Sequence, residues 1–124
     1  MKNVKFLLSA ALVFLASAAL AQDFSAPQYA KWGATPEERE QNILNSNFLK
    51  ESCDNRDYDA AAHYLKGLID KIPDAAESIY QRGAVVYKNK INRAKSVAEK
   101  NMFIDSLMLM YDMRAPVSYT HLRA

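Results

Sequence analysis

Apolar residues in the middle of the chain recur at intervals of three and four. Ala61, Leu65, Leu68 and Ile72 share one face of a predicted helix that Asp57 caps and Pro73 stops. Proline ends it because its ring disfavours helical geometry at the residue before it and it has no N–H to donate. Upstream, Thr35-Pro36-Glu37-Glu38 combines a hydroxyl cap, proline at the first helical position and glutamate three residues after the cap. It opens a first helix with Leu44, Phe48 and Cys53 on its inner face. Asp74-Ala75-Ala76-Glu77 repeats the capping logic and starts a third helix striped by Ala76, Ile79, Tyr80, Gly83, Val86 and Tyr87. Ser96-Val97-Ala98-Glu99 does so again, opening a fourth through Phe103, Leu107, Met110 and Tyr111 to Arg114. Between the last two, either the third helix runs on to about Lys95 or Lys88-Asn89-Lys90 unwinds. The absence of glycine and proline between Gly83 and Ser96 favours extension.

This is the pattern of an all-α chain of antiparallel helix pairs. The run Arg56-Asp57-Tyr58-Asp59-Ala60-Ala61, followed by Tyr64, Leu65, Leu68 and Pro73, resembles the second half of a tetratricopeptide repeat. One repeat of roughly 34 residues back from Pro73 reaches about Glu40. Gly83 falls where the family keeps a small residue in its first helix, while Leu49 and Arg82 depart from the pattern. Asp105-Ser106-Leu107-Met108 and Tyr111-Asp112-Met113-Arg114 are similar to tetratricopeptide proteins secreted by Bacteroides-type bacteria. The resemblance covers Thr35 to Arg114 and implies about two stacked repeats, an α-solenoid fragment over residues 35–115. It also implies a module that binds a protein or peptide, with a groove lined by Asn47, Lys50 and Asp54 from the first repeat and Tyr80, Tyr87 and Lys88 from the second. The family's acidic-tail clamp is not reproduced, so the resemblance specifies no partner. The alternative is an N-terminal docking arm of a larger cell-envelope enzyme or assembly subunit.

Both ends read differently from the middle. Lys2 and Lys5 precede an uncharged run from Phe6 to Leu20, and Ala19-Leu20-Ala21 stands before Gln22. This is the organisation of a secretory signal peptide over residues 1–21, shorter than the roughly 20 apolar residues of a membrane span. Export to the periplasm or outer membrane is expected, without a transmembrane segment after cleavage. No cysteine follows the triplet, which argues against lipid anchoring. Residues 22–34, with Pro27 and Gly33, read as a linker. At the other end, Pro116-Val117-Ser118-Tyr119-Thr120-His121-Leu122 matches the translation of a transposon-end sequencing adapter, so residues 116–124 are set aside as non-native and the natural chain is expected to continue past Ala115. Ile104 and Met108 would then be covered by a following helix, and the fragment alone would self-associate.

Charge narrows the picture little. Of 16 Lys+Arg and 14 Asp+Glu, Lys2, Lys5 and Arg123 lie in the set-aside ends, so the domain is near neutrality and does not invite nucleic acid. The single cysteine, Cys53, forms no internal disulfide and reads as a small buried hydrophobe. His63 lacks a second histidine in the domain, the serines show no nucleophile elbow and the glycines are scattered, so no enzyme, metal or cofactor is expected. Glu37, Glu38, Asp57 and Asp59 sit at helix starts, where the helix dipole favours them. Between Glu77 and Glu99 the charges are Arg82, Lys88, Lys90, Arg93 and Lys95. They serve either a helix C-terminus or an acidic partner or lipid head group. Met102, Met108, Met110 and Met113 are either adaptable core or a partner groove. The processed protein is predicted to begin at Gln22. Mass spectrometry of exported material checks this, and a retained Met1 contradicts it.

Overall fold

The structure is a computed structural model that describes the backbone of residues 22–123 and side chains through 117, so the expected signal segment lies outside the described residues. A 3₁₀ turn at Pro27–Trp32 precedes four α-helices: α1 Pro36–Asp54, α2 Tyr58–Lys71, α3 Glu77–Asn92 and α4 Val97–Arg123. The described residues contain no strand, and the fold is all-α. Each helix packs on the next, and α3 also touches α1. Cross-helix pairs set an antiparallel order. Phe48 of α1 meets Tyr64 of α2, and Lys90 near the end of α3 reaches Asp59 at the start of α2. Glu77 at the start of α3 meets Arg114 of α4.

The helix starts follow the predicted chemistry at three of four places. Thr35 Oγ1 accepts from the Glu38 N–H at 3.2 Å, Asp57 Oδ1 from Ala60 at 3.2 Å, and Ser96 Oγ from Glu99 at 3.1 Å. The α3 start differs from expectation. Its cap is Ala76, without a side-chain bond, because the Ala75 N–H turns back to the Ile72 carbonyl at 3.2 Å and puts the Ala75 methyl into the core. Asp74 is two residues too early to cap. The turn is held instead by the Tyr80 hydroxyl, which donates to the Pro73 carbonyl at 2.5 Å.

α2 ends at Lys71, as proline at position 73 dictates, and buries Ala61, Leu65 and Leu68, with Ile72 just beyond it. α3 extends through Lys88-Asn89-Lys90 to Asn92 and buries Ile79, Tyr80, Gly83 and Val86. The inner face of α1 is corrected. Leu44 is 42% exposed and Phe48 half-buried, while Asn42, Ser46 and Leu49 are buried above half-buried Cys53. The expected phase followed hydrophobicity alone. Asn42 tolerates burial because its Nδ2 donates to the Trp32 carbonyl at 2.8 Å, which satisfies the amide.

That bond is one of several that tie residues 22–34 to the helices. Arg39 donates from Nε to the Gly33 carbonyl at 2.9 Å and from a guanidinium N–H to the Phe24 carbonyl at 3.0 Å, and Trp32 packs against the core. Gly33 makes the bend with φ 157° and ψ 169°, a region essentially confined to glycine. A Cβ there would stand 3.0 Å from the Arg39 nitrogen and the Glu38 Cβ. The end of α4 is corrected as well. The helix continues past Arg114 to Arg123 with Pro116 inside it, because Phe103, Met110 and Val117 recur every seven residues along its inner face, and Val117 is only 5% exposed.

The tightest approach is at Gly83. A Cβ added there would meet Met110 Sδ of α4 at 2.5 Å and Leu65 Cδ1 of α2 at 3.2 Å, so a side chain enters where three helices meet only if Met110 moves aside. Gly67, in α2, has nothing within 4 Å of the same position. Alanine in a helix interior gains about 1 kcal/mol over glycine, whereas overpacking costs about 1–3 kcal/mol. Gly67→Ala is therefore expected to stabilise by about 1 kcal/mol and Gly83→Ala to destabilise by up to about 2 kcal/mol. Urea unfolding of both variants measures the opposite signs.

Candidate functional site: a cation-lined cleft

The structure does not bring the six predicted groove residues together. Asn47 is exposed on α1, and Lys50 and Asp54 pair with each other there at 3.2 Å. Tyr80 is fully buried and spent on Pro73. Tyr87 lies against the Phe103 ring, centroids 6.4 Å apart, and exposed Lys88 stands 5.9 Å over the Tyr111 ring. These last contacts draw Tyr87 and Lys88 towards α4, which makes no contact with α1 among the described residues. Tyr80 in particular has no surface to offer a ligand.

A different set converges. The α1–α2 turn, the end of α3 and the start of α4 enclose a cleft of about 370 Å³ lined by Arg56, Asp57, Tyr58, Asp59, Lys90, Arg93, Lys95, Glu99 and Phe103. Arg56 stands at its edge in the left-handed region, φ 59°. The backbone there closes a Schellman motif: Asp57 N–H donates to the Ser52 carbonyl at 2.9 Å and Arg56 N–H to the Cys53 carbonyl at 3.0 Å. This is a place where glycine is the common choice, so arginine carries a conformational cost.

Every carboxylate of the cleft is engaged by the fold. Asp57 caps α2, Asp59 receives Lys90 Nζ at 2.7 Å, and Glu99 accepts from the Lys95 backbone N–H at 3.4 Å. Lys90 also lies 5.4 Å from the Phe103 ring centre, and the Arg93 guanidinium 5.6 Å from that of Tyr58. Arg56, Arg93 and Lys95 have no carboxylate partner among the described residues. The open end of α2 adds the partial positive charge of a helix N-terminus. Such a cleft attracts anions. The predicted basic stretch is thus divided, with Lys90, Arg93 and Lys95 in the cleft, Lys88 against α4 and Arg82 near Cys53. Arg56, Tyr58 and Phe103 were missed, because no local pattern links a turn at 56–58 to the start of α4.

Burial raises the Cys53 thiol above its ordinary value, with Arg82 opposing, and the residue lies outside the cleft. No cluster of His, Cys, Asp or Glu among the described residues could hold a metal ion. A second, more apolar cleft of about 420 Å³ lies between α2 and α4, with His63, Ile69, Tyr87 and Leu109 in its walls. No helix of the described residues is long and apolar enough to cross a membrane. Comparison with protein-family models, curated proteins and solved structures finds no match for this chain.

Asp59 offers a direct probe of the cleft. The hydrogen bond from Lys90, with its charge, holds the carboxyl below its ordinary value of 3.8. A depressed midpoint favours the folded state above the ordinary value, and the benefit is lost as pH falls through the depressed one. NMR titration of the Asp59 carboxyl is expected to give a midpoint below 3.8, returning towards it in Lys90→Met. Identical midpoints in the two proteins would show that the ion pair does not form.

Proposed function

We propose that the chain is an exported, non-enzymatic protein-interaction module of tetratricopeptide type, and that it holds an acidic segment of a partner protein in the cleft between the α1–α2 turn and the start of α4. Three features support this reading: the stack of antiparallel helices, the Asp57-Tyr58-Asp59 turn with Ala61 and Pro73 at repeat spacing, and the apolar run expected to direct export. The observation that carries the ligand chemistry is that Arg56, Arg93 and Lys95 border one cleft whose carboxylates are already occupied. Tyr58 and Phe103 supply ring faces between the charges, which suits an extended peptide with alternating acidic and apolar side chains. Adhesion that depends on exposed charges is salt-sensitive and owes more to rate and selectivity than to raw affinity.

Fluorescence anisotropy with a labelled Glu/Asp-rich octapeptide tests the proposal. The expected result is binding that weakens steeply with added salt and falls roughly tenfold in a combined Arg56→Gly, Arg93→Gln, Lys95→Gln variant. Arg56→Gly relieves the left-handed backbone and so keeps the turn. Equal affinity for a neutral peptide, or no loss in a folded triple variant, overturns the reading.

A further inference from the structure

Helix α4 has two apolar faces. Met110 and Val117 enter the core, whereas Val97, Ile104, Met108 and Tyr111 are 75%, 37%, 52% and 38% exposed on the other side. With Asn101 and Ala115, both exposed, the outer set is spaced alternately four and three apart from position 97 to 115. That alternation is the seam of a two-stranded coiled coil, in which Asn101, Met108 and Ala115 take one core register and Val97, Ile104 and Tyr111 the other. It runs about 27 Å at 1.5 Å per residue.

We propose that this face packs against the same face of a second copy of the chain, α4 beside α4 in parallel. The flanking charges choose both the occupant and its direction. Lys100 borders one side of the seam, Asp105 and Asp112 the other, and none of the three has an ion-pair partner within the described chain. A parallel pair sets Lys100 opposite Asp105 of the second copy, twice by symmetry. An antiparallel pair over the same span sets Asp105 against Asp105 of the second copy, so like charges meet. Asn101 makes no side-chain hydrogen bond among the described residues. In the parallel pair the two Asn101 amides meet and bond, and a polar residue at that register is what specifies a two-stranded, aligned pair. The interface leaves the cation-lined cleft open, because Phe103 and Glu99 face it from other sides of α4.

The test uses the full chain with Cys53→Ala, adding Asn101→Cys. In a parallel pair the two introduced thiols face each other, so mild oxidation is expected to give a concentration-dependent disulfide dimer. Met108→Glu is expected to abolish it, and Asp105→Lys to weaken association roughly tenfold, with Lys100→Glu added to Asp105→Lys restoring it. Sedimentation equilibrium on the proteins without the introduced cysteine reports the same order. A monomer throughout the concentration range assigns the face to another occupant and overturns the proposal. So does a dimer that survives Met108→Glu, or one that the double charge swap fails to restore.

Discussion

The contact on which the arrangement depends is the meeting of Leu65, Gly83 and Met110. Because position 83 has no side chain, α3 comes close enough to touch α2 on one side and α4 on the other. α3 is thereby the shared wall of both helix pairs, with Ile79, Tyr80 and Val86 burying fully at the turns around it. Burial of each such side chain is worth roughly 1.5–3 kcal/mol, which outweighs the helix propensity sacrificed at a glycine. The ion pairs at the two ends of α3, Lys90 with Asp59 and Arg114 with Glu77, sit at exposed or half-exposed positions and orient rather than hold.

The cleft follows from this packing. Drawing the end of α3 against the start of α2 brings Lys90 and Arg93 onto the α1–α2 turn, where Asp59 and Tyr58 receive them. The same turn must cap α2 with Asp57, and α4 must be started by Ser96 and Glu99. Acids are consumed by helix starts while cations accumulate at a helix end, so an excess of positive charge at this corner is the by-product of ordinary capping. The left-handed backbone at Arg56 is the one element that capping does not require to be arginine.

Features set by neighbours in sequence were legible before the fold was seen. Asp57, Thr35 and Ser96 cap as read, Pro73 ends α2, and Ala61, Leu65 and Leu68 line the core, since each depends on residues within one or two turns. Features set by distant residues were not. The α1 face was read from Leu44, yet Asn42 is inside because Trp32 supplies a carbonyl from outside the helix. Tyr80 looked available to a partner until the Pro73 carbonyl claimed its hydroxyl. Val117, in the segment set aside as non-native, is buried seven residues beyond Met110, a packing that only the neighbouring helices define. The cleft needed residues 56, 93 and 103 in one place, which only the antiparallel stacking provides.

The most direct measurement of the central contact is a double-mutant cycle between Gly83→Ala and Met110→Ala, read by urea unfolding. If α3 approaches α4 through that point, shortening Met110 makes room for the new methyl. The double variant is then less destabilised than the sum of the two changes by about 0.5–3 kcal/mol. Strict additivity would contradict the account, because it would mean that the two positions do not touch.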